Sequence, residues 1–231
     1  ALFNKPGQYI KIVEALSTVN KGITRDEISR ITGIASSGDL SRKLAELENC
    51  GFIRKYVPFG YKQKNGLYQL IDNYTLFYYK FLKDDVHNEN FWKEQSNTPT
   101  VRVWSGIAFE RVCLEHITQI KKALGIAGVY TEINAWQCAK DEENGILGSQ
   151  IDLLIVRKDQ VINVCEMKYS EGDYVVDGSF DKAQKRKIAD FIKKTETKSA
   201  IHSTLITTYG ALNNAYAGEL QAVITSEDLF A

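Results

Sequence analysis

Residues 150–169, QIDLLIVRKDQVINVCEMKY, decide the fold of the second half of the chain. This stretch predicts two strands joined by a tight polar turn, because aliphatic and β-branched residues fill both segments without polar alternation. The first strand opens with Asp152, and the second ends in Glu166 and Lys168. Carboxylates buried in a sheet are costly unless they are paired or bind a metal. These charged groups therefore point to a site.

The length of the turn determines whether the charges meet. If residues 158–160 form a three-residue loop of an antiparallel hairpin, Asp152 faces Glu166 with the two Cβ atoms roughly 5 Å apart. Period-two alternation then places Lys168 on the same face of the sheet, one step further on. A loop of two or four residues would break this alignment. With three residues, two acids and an ammonium group converge on one point.

Metal-assisted hydrolysis of a phosphodiester suits such a cluster. Two carboxylates can hold a hard divalent cation such as Mg²⁺ and leave coordination positions open for water. The neighbouring Lys168 can orient that water or neutralise charge that develops on the phosphoryl group. We also expect Glu166→Ala to raise stability in metal-free buffer by relieving repulsion with Asp152. The alternative is a structural acid–lysine pair at a sheet edge.

A third acid lies on a predicted helix. Residues 104–124, WSGIAFERVCLEHITQIKKAL, carry apolar side chains at helical spacing. Glu110 falls inside this apolar stripe, three residues after Ile107 and four before Leu114. The alternative is that Glu110 lies at the edge of the stripe and reaches water.

The order helix-Glu, strand-Asp, strand-Glu-x-Lys resembles the PD-(D/E)xK nuclease superfamily, whose core is a mixed sheet flanked by helices. The segments GIAFERVC, QIDLLI and INVCEMKYS look like the C-terminal region of a family of bacterial and archaeal P-loop ATPases. In that family a winged helix and a restriction-endonuclease-like domain follow an AAA+-type motor. The resemblance implies Glu110, Asp152, Glu166 and Lys168 as the active-site set, with the three acids as ligands of Mg²⁺ or Mn²⁺. Ile151 stands at the position of the superfamily's namesake proline.

Residues 1–71 predict a winged helix-turn-helix domain, because three helices are followed by two strands around a Lys-Gln-Lys-Asn-Gly turn. Thr24 and Glu27 form the signature of a capping box at the second helix, and Gly33 ends that helix. Ser37 or Asp39 is expected to cap the third helix.

Charge favours nucleic acid as the partner of this first domain. Residues 1–70 hold 11 Lys and Arg against 6 Asp and Glu, whereas the remainder holds 18 against 23. The basic residues expected to face phosphates are Arg42, Lys43, Arg54, Lys55, Lys62 and Lys64. The alternative is a protein-interaction domain whose lysines are simply solvated.

Two further segments complete the predicted organisation. Residues 72–103 form an aromatic helical connector, with a loop at 96–100, and residues 104–231 form the nuclease-like domain. Residues 181–194 predict a helix whose basic face could follow a DNA backbone or be solvated: Lys182, Lys185, Arg186 and Lys187. Gln184 on the same helix is a further candidate for the site.

The chain contains no G-x-x-x-x-G-K-[ST] loop, so this polypeptide is not expected to bind ATP by that mechanism. The resemblance implies that an ATPase domain precedes it in the whole protein. Isolated cysteines and histidines argue against a zinc site. Without a signal peptide or a long apolar run, the sequence predicts a cytoplasmic protein with no membrane contact. The sequence is also compatible with an oligomer.

The sequence thus predicts a two-domain α/β chain that acts as a metal-dependent DNA endonuclease module of a larger ATPase. The alternative is a non-catalytic DNA-binding or regulatory module that targets or controls the partner ATPase and retains the nuclease fold as a scaffold.

Overall fold

The computed structural model of the chain describes residues 6–62, 65–83, 90–143 and 145–231. The protein is a mixed α/β structure. Its internal contacts divide it into two compact units, Ala1–Trp104 and Ser105–Ala231. Within the described ranges, no helix is both long enough and apolar enough to cross a membrane.

The first unit combines helices with a small antiparallel sheet of strand order β1-β3-β2. Its first elements are α1 (Pro6–Ser17), β1 (Ile23–Thr24), α2 (Arg25–Thr32), α3 (Gly38–Asn49), β2 (Ile53–Tyr56) and β3 (Leu67–Leu70). The helices and the sheet share one buried cluster, to which Leu16, Ile28 and Leu44 each contribute a fully buried side chain. The two-residue strand β1 was not predicted.

Local signals fix the ends of the helices in this unit. The predicted capping box is confirmed: the Thr24 hydroxyl accepts a bond from the Glu27 amide, and the Glu27 carboxylate accepts one from the Thr24 amide. Gly33 ends α2 in the left-handed conformation, with φ of 69°. Ser37 is the N-cap residue of α3 but makes no side-chain capping bond.

The connector consists of short helical pieces packed through their aromatic rings. They are α4 (Asn73–Phe77), a π-helical turn (Tyr78–Leu82) and α5 (Phe91–Gln95). The ring of Phe77 lies 5.6 Å from that of Trp92 and 5.4 Å from that of Trp104. These contacts assign the rings of Phe77 and Trp104 to packing within the connector, whereas the Tyr74 side chain is exposed.

The second unit is built on a five-stranded sheet of order β4-β5-β6-β7-β8. The pairs β4–β5 and β5–β6 are antiparallel, and β6–β7 and β7–β8 are parallel. Its elements, with the helix that leads into it, are α6 (Pro99–Glu115), α7 (Ile117–Ala123), β4 (Thr131–Cys138), β5 (Ser149–Arg157), β6 (Val161–Lys168), α8 (Gly178–Thr195), β7 (Ala200–Thr207), β8 (Ala222–Ile224) and α9 (Ser226–Leu229).

The single helix expected over residues 104–124 is in fact two. Helix α6 begins earlier, at Pro99, so the loop expected at 96–100 is shorter, and the helical path breaks at His116. His116 has φ of −107° and ψ of 31°, and its Nδ1 lies 2.7 Å from the Val112 carbonyl oxygen. No glycine or proline marks this break, which is why helical periodicity could not reveal it.

The two faces of the central strands have different surroundings. Leu153 and Cys165 belong to a buried cluster with Phe109 and Cys113 of α6. Glu166, next to Cys165 on β6, points to the opposite face because side chains alternate along a strand. That second face carries the candidate site.

Candidate active site

The β5–β6 hairpin has the turn length on which the predicted site depends. Strand β5 ends at Arg157 and β6 begins at Val161, so the loop contains three residues. Its last residue, Gln160, has φ of 64°, the left-handed conformation common in three-residue hairpin loops. The predicted register is confirmed by the pairing of Leu153 with Cys165.

Extending this register by one residue brings Asp152 opposite Glu166. Both side chains are half-buried and alternate with buried neighbours along their strands. Lys168 is the next residue on the same face of β6. The hairpin therefore gathers two acids and one ammonium group on one face of the sheet.

Each oxygen of the Glu166 carboxylate is paired with a lysine. Lys168 Nζ lies 2.8 Å from Oε1, and Lys187 Nζ lies 2.5 Å from Oε2. The Glu166 side chain is only 15% exposed. Lys187 was predicted to belong to a solvated or DNA-tracking face of α8, whereas the structure places its ammonium group against the candidate site.

These ion pairs change the pKa values of their members. Burial acts to raise the pKa of Glu166, but Lys187 and then Lys168 outweigh it and hold that pKa below its usual value. Burial acts to lower the pKa of Lys168, but Glu166 outweighs it and raises that pKa. Both groups are therefore charged at neutral pH.

Glu110 responds electrostatically to the same cluster. Burial first, and then the Asp152 carboxylate, raise the pKa of Glu110 to about 7. Glu166 adds to this rise, while Arg111 and Lys168 oppose it. Thus Glu110 of α6 lies within the electrostatic reach of all three hairpin residues.

Two further side chains lie next to the cluster and were missed by the sequence analysis. Gln150 donates an amide hydrogen bond to the Asp152 carboxylate. Period-two alternation could have identified Gln150, because it precedes Asp152 by two residues on β5. Tyr174 has its pKa raised by burial, with opposing influences from Lys168 and Glu166. It follows β6 in a loop, where no spacing rule could have located it.

Gln184, the further candidate on α8, is directed elsewhere. Its side chain is buried, and its amide donates a bond of 3.3 Å to the Ser203 hydroxyl on β7. It lines a small cavity of about 180 Å³ together with Ser203 and Tyr216. On the same helix, Lys185 pairs with Asp181 and with Glu219.

The carboxylate cluster has some of the groups that coordinate a divalent cation. Within the described ranges, no three His, Cys, Asp or Glu side chains already form a set that could hold a metal ion. Carboxylate oxygens are nevertheless the donors that Mg²⁺ and Mn²⁺ prefer. Burial first, and then repulsion from two neighbouring acids, raise the pKa of Glu110, and a bound cation would relieve the repulsion. The residues therefore fit such a cation in their chemistry.

The basic residues predicted to face phosphates in the first unit lie in different environments. Arg42 has a 64% exposed side chain and pairs with Asp39. Lys43 also pairs with Asp39, but its side chain is only 6% exposed. Lys43 is thus a buried residue of α3 in the structure, because the inner side of this helix packs on the core, and it does not present its charge to a nucleic acid.

The remaining predicted residues follow the wing. The Arg54 guanidinium donates a 2.9 Å bond to the Gln69 side chain and lies 4.4 Å from the ring centre of Tyr56. Lys55 and Lys62 are exposed. Lys64 lies outside the described residues.

Comparisons with known proteins give no relative from which a role could be transferred: no protein-family model, curated protein or solved structure matches the chain.

Proposed function

We propose that the second unit is a restriction-endonuclease-like domain that cleaves DNA phosphodiester bonds with the help of Mg²⁺ or Mn²⁺. One arrangement carries the proposal: Asp152 lies opposite Glu166, Lys168 shares their face, and Glu110 lies within their electrostatic reach. Perturbed carboxyl groups that converge on one point are typical of functional sites.

Each residue has a distinct role in this proposal. Asp152 and Glu166 would hold the cation, and Glu110 would complete its shell directly or through water. The cation, when bound, would polarise a phosphoryl oxygen and lower the pKa of a bound water. Lys168, oriented by its 2.8 Å contact with Glu166, can donate a hydrogen bond to that water or to a phosphate oxygen.

For the first unit we propose a winged helix-turn-helix domain that binds DNA. Three helices precede the antiparallel strands β2 and β3, and exposed basic side chains lie on α3 and in the wing at Arg42, Lys55 and Lys62. The resemblance to ATPase C-terminal regions adds the proposal that a motor domain in the whole protein delivers the DNA.

Nicking of supercoiled plasmid by excess protein tests the catalytic function. Wild type should nick with Mn²⁺ or Mg²⁺ and not with EDTA. Glu166→Ala should lose both Mn²⁺ binding and nicking. Lys168→Ala should keep Mn²⁺ binding but lose about 100-fold or more in nicking rate, because it removes the hydrogen-bond donor to the water or phosphate oxygen and leaves the cation ligands in place.

Lys185→Ala serves as the matched control, because Lys185 is an exposed lysine whose partners are Asp181 and Glu219. This variant should nick at the wild-type rate. If wild type and Lys168→Ala give the same background with and without metal, the catalytic function is rejected.

One observation favours a second candidate. Both Glu166 oxygens are already paired with lysines, so the cluster is neutralised internally, as in a structural ion pair. A non-catalytic DNA-binding or regulatory module that controls a partner ATPase would have this arrangement. It predicts DNA binding by the first unit without metal-dependent nicking.

A further inference from the structure

Glu166 is paired with one more lysine than the proposed chemistry requires. Lys168 contacts one carboxylate oxygen and Lys187 contacts the other, at 2.5 Å. Against the effect of burial, Lys187 and Lys168 both act to lower the pKa of Glu166. The ammonium group of Lys187 therefore contributes to the stabilisation of the charged Glu166 carboxylate.

The two lysines reach Glu166 from different elements of the fold. Lys168 is the last residue of β6, where it pairs with Thr207 of β7, and strand alternation fixes the side of the sheet on which its side chain lies. Lys187 reaches the cluster from α8 through a flexible four-carbon stem, and its side chain is 20% exposed. A lysine of this kind can withdraw its ammonium group into water while its stem stays packed.

We propose that Lys187 is a built-in competitor of the divalent cation. Its ammonium group contacts the Glu166 oxygen that a cation would use. Cation binding requires Lys187 to withdraw, so this residue raises the cation concentration at which the site fills. The inference rests on the proposed function, in which Glu166 is a cation ligand.

The physical basis is competition between two positive groups for one oxygen. An apparent binding constant falls by the fraction of molecules that are competent to bind, and only molecules with Lys187 withdrawn are competent. The divalent ion prevails at sufficient concentration because it interacts with several carboxylates at once, whereas Lys187 pairs with Glu166 alone among the acids of the cluster. Lys187 is thus a regulatory residue of the site and not a cation ligand.

Mn²⁺ titration of the whole chain, followed by the electron paramagnetic resonance signal of free Mn²⁺, tests the inference. Lys187→Met keeps the length of the side chain and removes its charge. It should bind Mn²⁺ about tenfold more tightly than wild type, since the competitor is gone. Lys187→Arg keeps the charge and should bind no more tightly than wild type.

Thermal unfolding supplies an independent readout. Lys187→Met should melt below wild type in EDTA, because three acids then share one ammonium group, and its melting temperature should rise more on addition of Mn²⁺. Equal or weaker Mn²⁺ affinity in Lys187→Met, with binding still abolished by Glu166→Gln, overturns the role of Lys187 and leaves the proposed cation site intact. Absence of Mn²⁺ binding in both wild type and Lys187→Met overturns both proposals.

A measurement on wild type keeps the inference testable if Lys187→Met does not fold. Mn²⁺ should increase the rate at which an amine-acylating reagent modifies Lys187, as followed by peptide mass spectrometry. Lys185, exposed on the same helix, should be modified at the same rate with and without Mn²⁺. An unchanged rate at Lys187 in a protein that binds Mn²⁺ overturns the inference.

Discussion

The Glu110 carboxyl group lies within the electrostatic field of the Asp152 carboxylate. Burial first, and this neighbouring charge second, raise the pKa of Glu110 to about 7 from an ordinary value of 4.5. Helix α6 and strand β5 therefore carry two acids that do not readily ionise together. Such an arrangement destabilises the folded protein whenever both are charged.

This relationship predicts how stability depends on pH. Because the folded pKa of Glu110 is raised, the folded state binds more protons than the unfolded state between about pH 4.5 and pH 7, so stability falls as pH rises through this window. The glutamine in Glu110→Gln cannot ionise. The free energy of unfolding of this variant should therefore exceed that of wild type above pH 7 by on the order of 3 kcal/mol. Urea unfolding at about pH 5 and about pH 8 measures the difference.

Glu132→Gln is the control for that experiment, because Glu132 is an exposed glutamate on β4. It should shift stability by no more than about 0.5 kcal/mol at either pH. If the free energies of unfolding of wild type and Glu110→Gln differ by the same amount at both pH values, the pKa of Glu110 is not raised.

A second prediction concerns Glu166 in metal-free buffer. From the sequence, removal of this acid is expected to relieve repulsion and raise stability. The structure predicts the opposite, because Lys168 and Lys187 would both lose a largely buried partner. Glu166→Gln should cost about 3 kcal/mol near pH 7, as measured by chemical denaturation in EDTA.

The pH dependence of this effect has the opposite sign to that of Glu110. Since the folded pKa of Glu166 is lowered, its contribution is present above the ordinary value of 4.5 and is lost as pH falls through the folded pKa. Wild type and Glu166→Gln should therefore converge in acid. Glu171→Gln, at an exposed loop glutamate, should follow wild type throughout. Greater stability of Glu166→Gln at neutral pH would contradict the prediction.

A third prediction separates exposed from buried basic residues in DNA binding. Arg42→Ala and Lys62→Ala should each weaken binding to duplex DNA and reduce the salt dependence of log Kd by roughly 0.9 per lost phosphate contact. Lys43→Ala should instead lower stability with little change in that slope, because the Lys43 side chain is buried and pairs with Asp39 on the same helix, α3. Fluorescence anisotropy across a salt titration measures both quantities.

Lys11→Ala is the matched control, since Lys11 is exposed on α1 and is not among the residues expected to face phosphates. Its salt slope should equal that of wild type. If Arg42→Ala and Lys62→Ala also keep the wild-type slope, the first unit serves protein contacts.

A fourth prediction concerns the hairpin turn. Gln160 adopts φ of 64°, a conformation that costs a non-glycine residue roughly 1–2 kcal/mol. Gln160→Gly should therefore raise the free energy of unfolding by up to about 1 kcal/mol after the entropic loss of introducing glycine. Lys158→Gly, at an ordinary position of the same turn, should lower it. A loss of stability in Gln160→Gly would mean that the Gln160 side chain contributes more than the strain removes.

The parts of the fold that could be predicted are those encoded over a few residues. The Thr24–Glu27 capping box and the β5–β6 register depend on spacings within one segment, so the sequence alone predicts them. The break at His116 has no local signal, because neither glycine nor proline lies nearby.

In the candidate site, too, the residues of one local segment could be predicted, whereas those brought in by tertiary packing could not. Asp152, Glu166 and Lys168 lie on one hairpin, and alternation along two strands predicts their common face. The approach of Lys187 to Glu166 depends on how α8 packs across the sheet, which involves residues 21 positions apart in the chain. Likewise, the burial of Lys43 depends on which side of α3 meets the core, and a basic residue near an apolar stripe does not reveal this.

The three-residue turn of the hairpin has a consequence for recognising relatives of this protein. The turn begins after Arg157, about 17 Å along the strand from Asp152. Adding or removing one residue there would send Asp152 and Glu166 to opposite sides of the sheet while leaving both acids in the sequence. A pattern search with free spacing would collect such chains together with this one. The interval of thirteen residues between the two acids is therefore a stricter test than the acids alone for finding relatives that keep the same site.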